Sequence, residues 1–334
     1  MMRKINRSPV ANWLLIGVGM IMIQVLLGGI TRLTGSGLSI TEWKPLLGAI
    51  PPMNEADWNA AFDQYKQIGQ YKHINFDFTL NDFKFIYFWE WFHRVWARFM
   101  GIVFAIGFIY FLLRKQFKKE MIWPMVLLFV LGGLQGAIGW IMVKSGLNEN
   151  DVSVNHIRLA FHFMAALGLQ VYVLWFALGL MIPEDAFIKN TRLKSFLHLI
   201  ISVLVVQLFY GAFMAGLKAG SFAPTWPTIN GDWLPSGMHS GDTPLFNNPF
   251  AVQFIHRGIA YILTILVIWW WVKAKAIGSI RNLPLILVCL QVLLGIFTVM
   301  YSADKQLLLW LGVAHQFVAM LLLLAVVTVR RLFN

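Results

Sequence analysis

The chain has 334 residues, 58% of them hydrophobic and 13% charged, with a formal net charge of +12. Soluble domains carry about 25% charged residues, so this composition excludes a disordered chain and a small disulfide scaffold and points to a polytopic helical membrane protein. The one cysteine, Cys289, can form no internal disulfide and leaves no CxxC motif for metal or redox chemistry.

A helix that crosses a bilayer needs about 20 mostly apolar residues. Eight stretches qualify, at about 12–30, 85–113, 121–143, 156–181, 196–217, 250–272, 284–301 and 306–329. The first follows Arg3, Lys4 and Arg7 but lacks an A-x-A cleavage signal before Gly28-Gly29, so it reads as a retained span. With the N-terminus inside, the inner segments hold fifteen lysines and arginines, among them Arg114, Lys118, Lys189, Arg192, Lys273, Arg281, Arg330 and Arg331. Beyond the first outer loop, the outer segments hold only Lys144, Lys218 and Lys305. This asymmetry predicts that both termini are cytoplasmic, and it accounts for the basic balance without any nucleic-acid partner. Two outer segments are long, about 31–84 and 218–249. Trp58, Tyr65 and Tyr71 in the first predict a short surface helix, and the second is rich in Pro, Gly and Trp. Loops of this length often carry function, which places substrate or partner contact on the outer face.

The chain repeats itself. Gln24-x-x-x-Gly28, Gln135-x-x-x-Gly139, Gln207-x-x-x-Gly211 and Gln291-x-x-x-Gly295 fall on the odd spans, where they read as a repeat marker and as close helix packing. Among the even spans, the second begins Glu90-Trp-Phe-His93-Arg94 and the sixth Gln253-Phe-Ile-His256-Arg257, while the fourth and eighth carry His162 and His315. Trp43-Lys44-Pro45 is echoed by Trp226-Pro227. The expected architecture is all-α and integral to the membrane: eight transmembrane helices arranged as two pseudo-symmetric tandem four-helix bundles, 1–183 and 184–334.

Of the eight histidines, His73 and His239 fall in outer loops, His198 near the inner start of the fifth span and His156 at the outer mouth of the fourth. His93, His162, His256 and His315 are embedded at matching depth, one per even span. An ionisable side chain in hydrocarbon marks a site by default. Imidazole is a common metal ligand, and two facing imidazoles suit the axial positions of a heme iron. The expected pairs are His93 with His162 and His256 with His315. His156 competes with His162, because six residues turn a helix by about 240° and both cannot face one heme. Arg94, Arg257 and Arg158 (and, more distantly, Arg98) are candidates for heme propionates, since a guanidinium fork matches a carboxylate. The halves differ at one position: Glu90 lies one turn before His93, where the second half has Gln253. A carboxylate there can accept a proton or stabilise positive charge, so chemistry is expected in the first half and a structural or electron-transfer heme in the second.

The run from Gly28 through Thr31-Arg32-Leu33-Thr34-Gly35-Ser36-Gly37-Leu38-Ser39 to Trp43-Lys44-Pro45 resembles the signature that follows the first span in heme A synthase. The resemblance continues at Glu90-x-x-His93-Arg94, Arg158-Leu-Ala-Phe-His162, His256-Arg257 and His315-Gln316, and covers essentially the whole chain. It implies a membrane oxidoreductase that converts the C8 methyl of heme O to a formyl group, making heme A for cytochrome c oxidase. It implies axial ligation of heme iron by His93, His162, His256 and His315, with heme O in the first half and heme b in the second, and a catalytic role for Glu90. Loop cysteine pairs found in some bacterial members are missing, so the chain is closer to the group that includes the mitochondrial enzyme. Without a transit peptide before the first span, a bacterial inner membrane is the expected location. The implied partners are membrane lipid, an electron carrier, a heme O synthase that hands over substrate, and a second copy of the chain. The competing reading is a di-heme b-type electron-transfer cytochrome, which bis-histidine pairs fit equally well; a tandem-repeat transporter is disfavoured because no span is interrupted at mid-bilayer.

Overall fold

A computed structural model describes residues 8–43, 47–239 and 243–334. The basic residues before Ser8, together with Lys44 and Pro45, lie outside the described residues. Eight long apolar helices correspond to the eight expected spans: α1 (Pro9–Leu33), α4 (Leu80–Leu113), α5 (Lys119–Lys144), α6 (His156–Met181), α7 (Thr191–Gly216), α8 (Pro249–Lys273), α9 (Asn282–Met300) and α10 (Lys305–Arg331). Two short helices, α2 (Glu55–Tyr65) and α3 (Gly69–His73), occupy the first long loop. Large apolar side chains such as Ile102, Ile106, Trp123, Ile265 and Leu293 are exposed along the long helices. A water-soluble fold would have to bury that surface, whereas lipid accepts it. The chain is a multi-pass helical membrane protein.

Local chemistry sets the helix ends. Asn190, Asn248 and Asp304 cap α7, α8 and α10 through side-chain oxygens that accept from backbone N–H groups of the first turn, and Pro249 stands at the start of α8. Two helices start about five residues earlier than expected: α7 at Thr191 rather than near 196, and α4, which runs 34 residues, at Leu80 rather than near 85. Thr79 and Asp82 form a reciprocal capping box there, and the added turns carry Phe83 and Ile86 into a core beyond the apolar span.

The chain divides into two compact units, residues 19–169 and residues up to 18 with 170–334. In the second, α7 packs against α8 and α10, and α9 against α8 and α10, closing a four-helix bundle. In the first, Leu38, Phe62, Tyr65, Ile68, Phe83 and Ile86 form a core in which α2 and the loop pack against the start of α4. Tyr65 is therefore no surface residue: it is fully buried, with its ring against Phe83 and Tyr71. Its hydroxyl donates to Gln70 Oε1 at 3.0 Å and accepts from Asn75 Nδ2 at 2.8 Å. Gln70 Nε2 in turn donates to the Gly35 carbonyl, in a left-handed turn that the glycine permits. The phenol thus ties α2 and α3 to the glycine-rich turn after α1.

Burial pushes the Tyr65 phenol up to about 12. Because the folded value lies above the ordinary phenol pKa of about 10, the associated stability is complete below about pH 10 and is lost as pH rises through about 12. Phenolate absorbance from Tyr65 should appear later in an alkaline titration than that of the exposed tyrosines. Tyr65→Phe strands the buried Gln70 amide and the half-buried Asn75 amide and should weaken the segment by about 1–3 kcal/mol, read as faster hydrogen exchange across residues 47–75.

Candidate functional site

Each embedded histidine sits in the same kind of notch. On a helix, residues four apart lie on one face about one turn apart, so each Q-x-x-x-G places an amide directly above a gap with no side chain. His93 on α4 turns its Cε1 edge to α1, with Gln24 Nε2 at 3.3 Å from Nδ1 and 3.2 Å from Nε2. His162 on α6 faces α5, with Gln135 Nε2 at 3.2 Å from Nδ1. His256 on α8 meets Gln207 Nε2 at 3.4 Å, and His315 on α10 meets Gln291 Nε2 at 3.2 Å. A Cβ added to Gly139 would approach the Cε1 of His162 to 2.8 Å; the corresponding distances are 3.0 Å at Gly295, 3.1 Å at Gly28 and 3.3 Å at Gly211. The glycines make the space and the glutamines reach the nitrogens. Sequence reading took this motif for helix packing and a repeat marker, and missed its contact with the histidines. The signal available was the equal number of Q-x-x-x-G motifs and embedded histidines.

Electrostatic interaction reaches from His162 to His93 and from His315 to His256, which joins the members of each expected pair. Between the rivals on α6, it is His162 that enters a glycine notch, while His156 stands at the helix start. The other histidines are elsewhere: a ring nitrogen of His73 is 3.2 Å from the Glu149 carbonyl, and His198 accepts from Arg330. The side chain of His239 lies outside the description.

Glu90 is buried on the face of α4 that carries His93 and Arg94. Its Oε2 accepts from Ser39 Oγ at 2.8 Å and from the Ile40 N–H at 2.9 Å; its Oε1 pairs with Arg94 Nη2 at 2.6 Å. Arg94 also donates to the carbonyls of Ile40 and Glu42. The glycine-rich segment after α1 is thereby lashed to the turn of α4 that holds His93. The second half has a matching clamp with different polarity. Gln253 Nε2 donates to the Ala223 carbonyl at 2.9 Å, and Arg257 donates to the carbonyls of Thr225 and Thr228 at 2.7 and 3.1 Å. Arg158 donates to the Ile141 carbonyl near the end of α5. The three expected propionate ligands thus all hold backbone carbonyls, a role that spacing alone did not indicate. Where Lys44-Pro45 would have echoed Pro227, Trp43 is described and stacks on Trp140 at 5.1 Å.

The notch geometry orders a set of substitutions. Overpacking a tight contact costs about 1–3 kcal/mol, so Gly139→Ala should destabilise the protein most, followed by Gly295→Ala, Gly28→Ala and Gly211→Ala. Gly132→Ala, Gly133→Ala and Gly136→Ala, where a Cβ meets nothing within 4 Å, should be near neutral. Denaturation in detergent, followed by tryptophan fluorescence, would give the order.

Residues 11–327 match the family described as cytochrome oxidase assembly protein. A heme A synthase of Flavobacterium johnsoniae is 39% identical over 337 residues, covering 97% of this chain and 97% of its own. One from Flavobacterium psychrophilum is 40% identical, covering 95% and 96%, and one from Paracoccus denitrificans is 39% identical, covering 97% and 87%. With this similarity running from α1 to α10 and through both clamps and all four notches, the chain belongs to the cytochrome oxidase assembly protein family.

Proposed function

We infer that the chain is a heme A synthase, a membrane oxidoreductase that takes heme O and oxidises its C8 methyl through the alcohol level to a formyl group, yielding heme A. The observation that carries the assignment of roles is the asymmetry of the two clamps. Both histidine pairs sit in glycine notches, but only the first has a carboxylate, Glu90, one helical turn from a histidine. In this reading, residues 1–183 form the heme O and heme A half and 184–334 the heme b half. His93 and His162 would hold the substrate heme, and His256 and His315 would hold heme b.

The residues fit such a guest. Each pair offers two imidazoles in mutual range, backed by glycines whose missing side chains leave room for the rings. When bound, heme b supplies a one-electron carrier. The chain's own groups do the rest. The notches orient the rings. Arg94, Arg257 and Arg158 bring positive charge to the ends of the pairs, where propionates would join or displace their backbone carbonyl partners. Glu90 Oε1 takes its hydrogen bond from Arg94 and, as a carboxylate oxygen with two lone pairs, can accept one proton more. That makes Glu90 the candidate catalytic residue, receiving a proton as the methyl carbon is oxidised. Ser39 and Ile40 fix its orientation from the loop.

The excess of lysine and arginine in alternate connecting segments supports cytoplasmic termini in a bacterial inner membrane. Heme O, with its long isoprenoid tail, would then arrive within the membrane, handed over by heme O synthase, and electrons would leave to a carrier in the same membrane.

Glu90→Gln is the informative variant, because Gln253 occupies the matching place in the second half. It keeps an oxygen for Ser39 and Ile40 but removes the proton acceptor. Heme A formation should fall by about 10²-fold or more, while heme b content is retained. Chromatography and mass spectrometry of hemes extracted from cells that supply heme O would measure both. Undiminished heme A would overturn the role of Glu90, and heme b alone from the unaltered protein would favour an electron-transfer cytochrome.

A further inference from the structure

Between α5 and α6 lies an apolar cavity of about 190 Å³, walled by Leu131, Leu134, Gln135 and Ile138 on one side and by Ala165 and Gly168 on the other. An apolar cavity of about 150 Å³ takes a guest the size of benzene. Gln135 is the notch residue of His162, so the cavity adjoins that ring. The two helices run antiparallel, with Gln135 beside His162 and Ile141 beside Arg158. Leu131, Ala165 and Gly168 therefore carry the cavity away from the ring on the side opposite Arg158. Leu134 and Gly168 are exposed, so the cavity is a groove that opens toward lipid.

The repeat shows how the groove arises. Counted from the notch glutamine, α5 and α9 present nearly the same wall: residues 131–138 read Leu-x-x-Leu-Gln-x-x-Ile and residues 287–294 read Leu-x-x-Leu-Gln-x-x-Leu. The facing wall differs. Three residues after the histidine stands Ala165 in the first half and Val318 in the second; six residues after it stand Gly168 and Leu321. Val318 is buried, whereas a Cβ on Gly168 would meet nothing within 4 Å. Close helix packing, the usual reason for a glycine in a span, is therefore not the reason for Gly168. The first half lacks two side-chain carbons at one position and four at the other, close to the bulk of one isoprenoid unit. A space left empty there would forfeit dispersion contacts along both walls.

We propose that this groove is the subsite for the isoprenoid chain of heme O. The proposal rests on His93 and His162 holding that heme. The chain leaves the porphyrin at the edge away from the propionates. With the propionates drawn toward Arg158 and Arg94, that edge faces the groove. The first part of the chain seats against Ala165 and Gly168, and the open side lets the remainder run on into lipid. Lipid also accepts such a chain, so what the groove adds is a fixed place for it, which holds the porphyrin between arginines at one end and a seated chain at the other. Val318 and Leu321 fill the same place in the second half, which suits a heme without a chain.

The test uses the full-length protein purified with heme b in its second half and placed in phosphatidylcholine bilayer discs. It is titrated with heme O and, separately, with heme b, which lacks the chain, and binding is followed by the Soret band. The double variant Ala165→Val with Gly168→Leu gives the first half the residues of the second. Overpacking costs about 1–3 kcal/mol, so heme O affinity should fall about tenfold or more, with heme b affinity at the first half retained. Gly168→Ala, whose added carbon enters open space, should show a smaller loss of the same kind, and it decides the matter by the same ratio if the double variant does not fold. Unchanged heme O binding, the result if only lipid chains occupy the groove, overturns the proposal. Equal loss of both hemes also overturns it, because the damage then lies at the ligand pair. His162→Ala tests the underlying assignment separately. Heme O bound there with an unaltered spectrum refutes the ligand role, whatever the groove variants do.

Discussion

An imidazole inside a bilayer has two nitrogens and no water to satisfy them. The rest of this structure answers that constraint. Each histidine is supplied from the preceding long helix with an amide to meet a nitrogen and, one turn away, a glycine that lets the ring lie against the backbone. Packing and polarity are solved by one five-residue motif used four times. The helices can approach because the side chain is missing, and the ring is tolerated because the amide is present. If the histidines hold heme as proposed, they are aimed before any guest arrives, which lowers the ordering cost of binding.

In each half, an arginine directly after the first histidine reaches back to the carbonyls of the segment that precedes its helix. Loop and ligand therefore share a helical turn, and a change in one is felt by the other. In the first half the tie runs through a buried carboxylate that also faces the arginine, so the proposed proton acceptor and the loop anchor are one residue. Assigning Glu90 to chemistry or to architecture is for that reason a false choice. Its hydrogen bonds hold it in place, and being held in place is what a proton acceptor requires.

Much of this was legible in the sequence. Hydropathy gave the eight spans because the bilayer fixes their length, and the paired His-Arg and lone histidines gave the candidate ligands because an ionisable group in lipid needs a reason. The unread part was contact between helices. Gln24 and Gly28 declare by spacing that they share a face, but nothing in the spacing says that the face meets His93. The early start of α4 escaped because Thr79 and Asp82 look like ordinary loop residues until seen as a reciprocal cap. Tyr65 passed for a surface aromatic because its burial depends on Leu38, Phe62 and Phe83, which are scattered along the sequence. The fork of each arginine and its place beside a histidine suggest propionates, but no composition rule names the backbone carbonyls that all three hold, or the Glu90 carboxylate that Arg94 also holds.

The two clamps read their loops in opposite senses. Glu90 accepts from the N–H of Ile40, whereas Gln253 donates to the C=O of Ala223. The peptide group offered at one position is turned the other way at the other. A carboxylate installed at position 253 would set oxygen against oxygen, and its negative charge would have no loop donor waiting for it. The difference between the halves is thus written in the course of the backbone as well as in one side chain. Turning the second half into a copy of the first would take a transplanted loop, not a single codon.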